Sequence, residues 1–264
     1  MRDLLSLNLK RVRNLFRMDL HRMLHGKAFY VMICIAVFIP VMMLTQMSDV
    51  RDITMFIGSD VVSGGSFGAG MNLSMLNILT GMLLAIYIGK EYTTGFIKNI
   101  ITAHANKYDY LVSKGLIALI CNIVFMAGYM ITLFVMGAVM GLPAEIPSII
   151  GLALYIVEKL LLSIPMSMLM IAVNLVFRRS YGWSIVFICI AATGIVVMSI
   201  QMGLQMLGFG ALANIFNFTI TGASAFTTTT PNVFSLLLVI FVSIVWTLIC
   251  SLIANILMNK RDVL

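Results

Sequence analysis

Charge is what this chain has least of. Only 10% of its 264 residues are Asp, Glu, Lys or Arg, where ordinary globular chains carry about 25%. So few charges cannot cover a water-exposed surface. A soluble enzyme, a disordered tail and a free nucleic-acid binder are excluded. Cysteine is sparse too. Cys34, Cys121, Cys189 and Cys250 fall in separate apolar segments with no CxxC spacing, so they read as small buried hydrophobes. No GxxxxGK followed by Ser or Thr occurs, so there is no P-loop to cradle nucleotide phosphates. The three histidines are His21, His25 and His104. His21 and His25 stand at i, i+4, but no third ligand is evident, so no metal and no catalytic residue are expected. No cleavable signal peptide is expected either, because the basic first 27 residues lack a short apolar core of the usual kind.

What the chain does have is long apolar runs. Hydrophobic residues make up 61% and the mean hydropathy is +1.06. The expected fold is all-α: one polytopic membrane domain over 1–264 with six transmembrane helices. The spans are read at about 28–47, 72–89, 110–140, 149–177, 182–206 and 232–258, each near the ~20 residues a helix needs to cross a bilayer or longer. The third and fourth are long enough to tilt or project.

The 17 basic residues divide unevenly around these spans. The arm 1–27 holds Arg2, Lys10, Arg11, Arg13, Arg17, Arg22 and Lys27. Lys90, Lys98, Lys107 and Lys114 follow span two, Arg178 and Arg179 follow span four, and Lys260 and Arg261 end the chain. Only Arg51 lies on the opposite side, and Lys159 lies within a span. The positive-inside rule then places both termini in the cytoplasm of a multi-pass cell-membrane protein. The net charge of +7 thus reports orientation and needs no nucleic acid.

Two cytoplasmic stretches carry a pattern. In 3–25, Leu5, Leu9, Val12, Phe16, Leu20 and Met23 recur at helical spacing, with Lys10, Arg13, Arg17 and His21 on another face. This suits an interfacial amphipathic helix with its basic face toward anionic headgroups; the alternative is a plain topology-setting arm. After Lys90, Thr93 or Thr94 is a candidate cap for a short helix. Phe96, Ile97, Ile100 and Ile101 then form an apolar face beside Lys98 and Asn99. A cytoplasmic loop has reason to carry such a face only if it docks, onto the membrane or onto a soluble partner.

Here the chain resembles the permease subunit of type-two ABC exporters, especially the short six-helix permeases. The matching residues are Glu91, Tyr92, Gly95 and Lys98 after the second span, and Ser113 and Lys114 opening the third. The proline and arginine common there before the third span are replaced by Ala103, His104, Ala105, Asn106 and Lys107. The resemblance implies that this chain forms the pathway and binds no cofactor, while cytoplasmic ABC ATPase subunits bind ATP and Mg. It implies a coupling helix in the 91–107 loop, with Glu91, Tyr92, Gly95, Phe96, Ile97, Lys98, Ile100 and Ile101 at the ATPase joint. It also implies a second permease copy, a homodimer, in the bilayer.

Inside the membrane, Glu158 and Lys159 are the charges to explain, ~15 Å deep at 1.5 Å per residue. Such charges face a cavity or a partner: they line a pathway, or they make structural contacts between spans. Being ~100° apart, they do not simply pair with each other. Gln201 and Gln205 share a face in span five and are pathway candidates; Asn122, Asn174 and Asn255 are further polar points, and in lipid such side chains are more often interhelical glue than a substrate site. The charge-free outer stretch 207–231 is too apolar for a free loop. Its Phe209, Phe216 and Phe218 are outer-gate candidates if it re-enters the bilayer; the alternative is an aromatic anchor. The chain's 22 methionines suit surfaces that re-pack around a hydrophobic or amphipathic substrate, a peptide by resemblance, and suit gap-filling equally. Two other roles stay open: an antimicrobial-peptide immunity permease, and a non-transporting membrane scaffold.

Overall fold

The computed structural model describes residues 2–46, 71–97, 107–142, 148–177, 180–209, 212, 214–224, 227 and 233–260. Among them every regular element is a helix. In chain order these are α1 (Arg2–Leu24), α2 (Lys27–Gln46), α3 (Met71–Thr93), α4 (Lys107–Val139), α5 (Ile149–Val176), α6 (Tyr181–Thr193) and α7 (Ile195–Met206). A 3₁₀ turn (Asn214–Phe218), α8 (Ile220–Ser224) and α9 (Val233–Lys260) complete the order.

The apolar runs form helices because lipid leaves each backbone N–H and C=O to be satisfied within its own segment. Start signals are local. The Ser148 side chain accepts a bond from Gly151 N–H and caps α5. At 33 residues, α4 is ~50 Å long, well beyond a ~30 Å hydrocarbon core. By length and apolarity α4, α5 and α9 can each cross a membrane, and α1 with α2 would make a fourth crossing if that bent pair is one span.

The fifth expected span is not continuous. Gly194, at φ 64, ends α6 after 13 residues and starts α7, which has 12. Each half is too short to cross a bilayer by itself. Glycine takes this left-handed conformation without the penalty a Cβ imposes. The space is filled from outside the helix: Thr221 Cγ2 lies 2.9 Å from where a Cβ would stand.

At Gly26 the chain bends by 69° between α1 and α2. Phe16, Leu20 and Met23 then pack on the same core as Phe29, Met32, Leu83 and Phe125. These three residues of the apolar stripe are thus covered by the protein itself, while Arg11, Arg13 and Arg17 stay exposed.

Three cores stack through the molecule. The first joins α1, α2, α3, α4 and α5 around Phe125 and Tyr129. The second joins the end of α3, the start of α4 and the ends of α5 and α9 around Ile88, Tyr110, Leu175 and Met258. Lys107 Nζ strengthens that end by donating to the Met258 carbonyl at 3.0 Å, where a cation suits a helix C-terminus. The third core holds α8 against α5, α6 and α9 through Ile220, Ala223, Met166, Ile188 and Val239. The outer face of α9 is left bare: Phe234, Leu237, Phe241, Ile244, Leu248 and Leu252 are exposed.

Candidate functional site

Where α3 ends and α4 begins, three helices each contribute a pair of residues one turn apart. From α1 come Asp19 and Arg22. From α3 come Tyr87 and Glu91. From α4 come Tyr110 and Lys114, with Ser113 beside them. Spacings of three and four put each set on one helical face.

Glu91 and Lys114 are fully buried and Asp19 is 1% exposed. Lys114 Nζ lies 2.6 Å from Glu91 Oε1 and 3.0 Å from Asp19 Oδ2. Arg22 Nη1 reaches Glu91 Oε1 at 3.0 Å. Tyr110 OH donates to Glu91 Oε2 at 2.7 Å and Ser113 Oγ donates to Asp19 Oδ2 at 2.9 Å. Tyr87 OH donates to the Asp19 carbonyl at 3.3 Å. Aromatic faces screen the cations: Lys114 Nζ is 5.0 Å from the Tyr110 ring centre, and the Arg22 guanidinium is 4.2 Å from that of Phe96. Two carboxylates and two cations make the cluster neutral. Charges this deep persist only when paired and hydrogen-bonded. The cluster therefore binds α1, α3 and α4 into one unit at the root of the loop that leaves α3.

The loop's first residues are tied to this root. Gly95 turns the chain at φ 69. The Thr93 and Thr94 hydroxyls bond back to the Lys90 carbonyl at 3.1 and 2.7 Å. They close the C-terminus of α3; the helix they were expected to cap runs into residues outside those described. Tyr92 and Phe96 are half-buried, and Ile97 is 2% exposed within the core beneath. Phe96 and Ile97 thus pack inward. Lys98, Ile100 and Ile101 lie outside the described residues.

The intramembrane charges diverge, as their spacing requires. Glu158, 4% exposed, faces α9, where Ser235 Oγ donates to its Oε1 at 3.3 Å. Lys159 Nζ donates to the Ser224 carbonyl of α8 at 3.0 Å. Lys159 also lines a cavity of about 40 Å³ with Asn77, Asn122, Ser163 and Ser224, room for little more than water. A polar seam runs inward from it. Asn122 Nδ2 donates to Ser167 Oγ at 3.1 Å, and Ser167 Oγ donates to the Ser163 carbonyl at 2.7 Å. The Thr80 hydroxyl stands 2.5 Å from Asn122 Oδ1.

The outer candidates separate. Gln201 Nε2 donates to Asn217 Oδ1 at 3.2 Å, whereas Gln205 is exposed. Phe209 and Phe218 are exposed and Phe216 is half-buried. Trp246 Nε1 donates to the Phe218 carbonyl at 2.9 Å. The short outer helices are thus tied by polar contacts from α5, α7 and α9, besides the apolar packing of α8.

Asp19, Arg22 and Tyr110 went unread in the sequence as site residues. One signal was there: Asp19 lies three residues after Phe16 and four before Met23, so an acid interrupts the apolar stripe of α1.

An all-helical chain with membrane-length helices and a neutral ionic joint at one end defines a multi-pass membrane protein built to hold its helices in register. Residues 20–194 match the family described as ABC-2 family transporter protein, and the chain belongs to that family. It is a membrane permease subunit of an ABC transporter, itself non-catalytic, whose partners are ABC ATPases. Comparison with curated proteins and with solved structures gave no match.

Proposed function

We propose that this permease subunit belongs to an ATP-driven exporter. It crosses the membrane six times, counting α6 with α7 as one broken crossing, and both termini are cytoplasmic. It forms the pathway for a hydrophobic or amphipathic substrate, a peptide in the reading favoured here. It works with a second copy of itself and with ATPase subunits that bind ATP and Mg. The 91–107 loop is the ATPase joint.

The observation that carries this reading is the buried cluster of Asp19, Arg22, Glu91 and Lys114 at the root of that loop. A push on the loop reaches α1, α3 and α4 together, because one set of charges holds all three. Energy supplied at the surface then moves whole helices instead of bending a loop. Glu158 and Lys159, held against α9 and α8, stand between that motion and the outer segment. Antimicrobial-peptide immunity would use the same machinery on a different cargo.

The test is co-purification with the partner ATPase and measurement of permease-stimulated ATP hydrolysis. Ile100→Asp on the loop should abolish both while the permease still inserts. Unchanged ATPase binding and stimulation would remove the loop from the joint. If no ATPase co-purifies with the wild type, the scaffold reading replaces this one.

A further inference from the structure

A second recess opens beside the cluster, in the bend between α1 and α2 where both meet α3. Its volume is about 550 Å³, within the range of ligand pockets. Its composition is graded with depth. Leu83 and Ile86 of α3 and Phe29 of α2 form the deep wall. Lys90, ~10 Å further along α3 than Leu83, stands at the rim with Lys27, Arg22, His21 and His25. No carboxylate lines it. Among the described residues no acid pairs with Lys27 or Lys90, both exposed. The first turn of α2, where Phe29 N–H donates to the Gly26 carbonyl at 3.2 Å, is part of the wall.

A basic rim over an apolar wall, between helices at a membrane surface, fits a ligand with an anionic head and an acyl tail. We infer that this recess is a binding site for an anionic phospholipid of the inner leaflet. The phosphodiester sits among Lys27, Lys90 and Arg22, and the acyl chain lies along Leu83, Ile86 and Phe29. Inorganic phosphate would use the rim and leave the wall bare, so the lipid is the occupant that accounts for both parts. Arg22 joins this site to the ionic cluster, since the same guanidinium holds Glu91.

The leaflet rests on the orientation proposed above; the binding itself does not. Native mass spectrometry of the purified permease in micelles reads binding directly. Phosphatidylglycerol should be retained and phosphatidylcholine washed away. Lys27→Gln and Lys90→Gln should each weaken retention about fivefold, from the ~1 kcal/mol a basic residue contributes at an anionic surface. Ala28→Trp, which fills the recess and leaves both lysines in place, should also lower retention. Thermal unfolding of each variant reports that the fold persists. Equal retention of the two lipids, or wild-type retention by the double lysine variant, overturns the proposal. So does displacement of the lipid by inorganic phosphate or glycerol phosphate at equal concentration, which would assign a free-anion site. Loss of ATPase stimulation by Ile100→Asp is read separately, so either proposal can fail alone.

Discussion

Lys114 serves two buried carboxylates at once, so its loss leaves buried negative charge uncompensated. Lys114→Met should destabilise the protein by about 3–5 kcal/mol, the cost of stranding buried partners, measured by thermal unfolding in detergent. Replacing all three buried charges, Asp19→Leu with Glu91→Met and Lys114→Met, should recover most of that stability, since a packed apolar set can substitute for a buried ionic one. Stimulation of the ATPase should not recover with it, because what the charges add is a shared grip on three helices. Glu91 and Lys114 could be singled out in the sequence by resemblance. Asp19, Arg22 and Tyr110 could not be paired with them, because the five residues are spread over three helices and meet only after the helices pack. Asp19 alone left a trace, as an acid on an apolar stripe.

Helices were easier to read than their interruptions. An apolar run announces a helix, and the ends of α2, α4, α5 and α9 fall close to the expected limits. Gly194 was hidden because one glycine in an apolar run is compatible with an unbroken helix. The residue that fills the space a Cβ would need is Thr221, 27 residues later. Gly194→Val should therefore lower stability by about 1–2 kcal/mol from the backbone conformation alone, and Thr221→Ala in the same chain should recover only the steric part; unfolding of the single and double variants separates the two. The outer helices hang on Lys159, Gln201 and Trp246. Lys159→Met should leave insertion intact and speed amide hydrogen exchange over 214–224, with the exchange of α9 unchanged.

At the scale of the whole molecule, the low charge content returns as geometry. The ionic cluster takes Glu91 from α3 and Lys114 from α4, and the exposed face of α9 named above carries no charge. With only 28% of its apolar window covered by the protein, α9 must meet lipid or another apolar surface. Leu248→Arg, on that bare face, should cost about 2.5–3.5 kcal/mol of insertion and lower the yield in membrane fractions; the same change at an exposed arm position such as Asn14 should not. The expected topology rests on where the few charges lie. Packing partners were not legible, because the apolar residues are too alike to specify which helix meets which. The order of synthesis gives the cluster a further consequence. Asp19 is made long before the residues that satisfy it; its hydroxyl donor, Ser113, follows 94 positions later. The arm therefore lacks these partners until α4 has been made. In the orientation proposed above, an α4 inserted the wrong way round would carry Lys114 away from Asp19, so the ion pair would form only where α4 entered in the right direction.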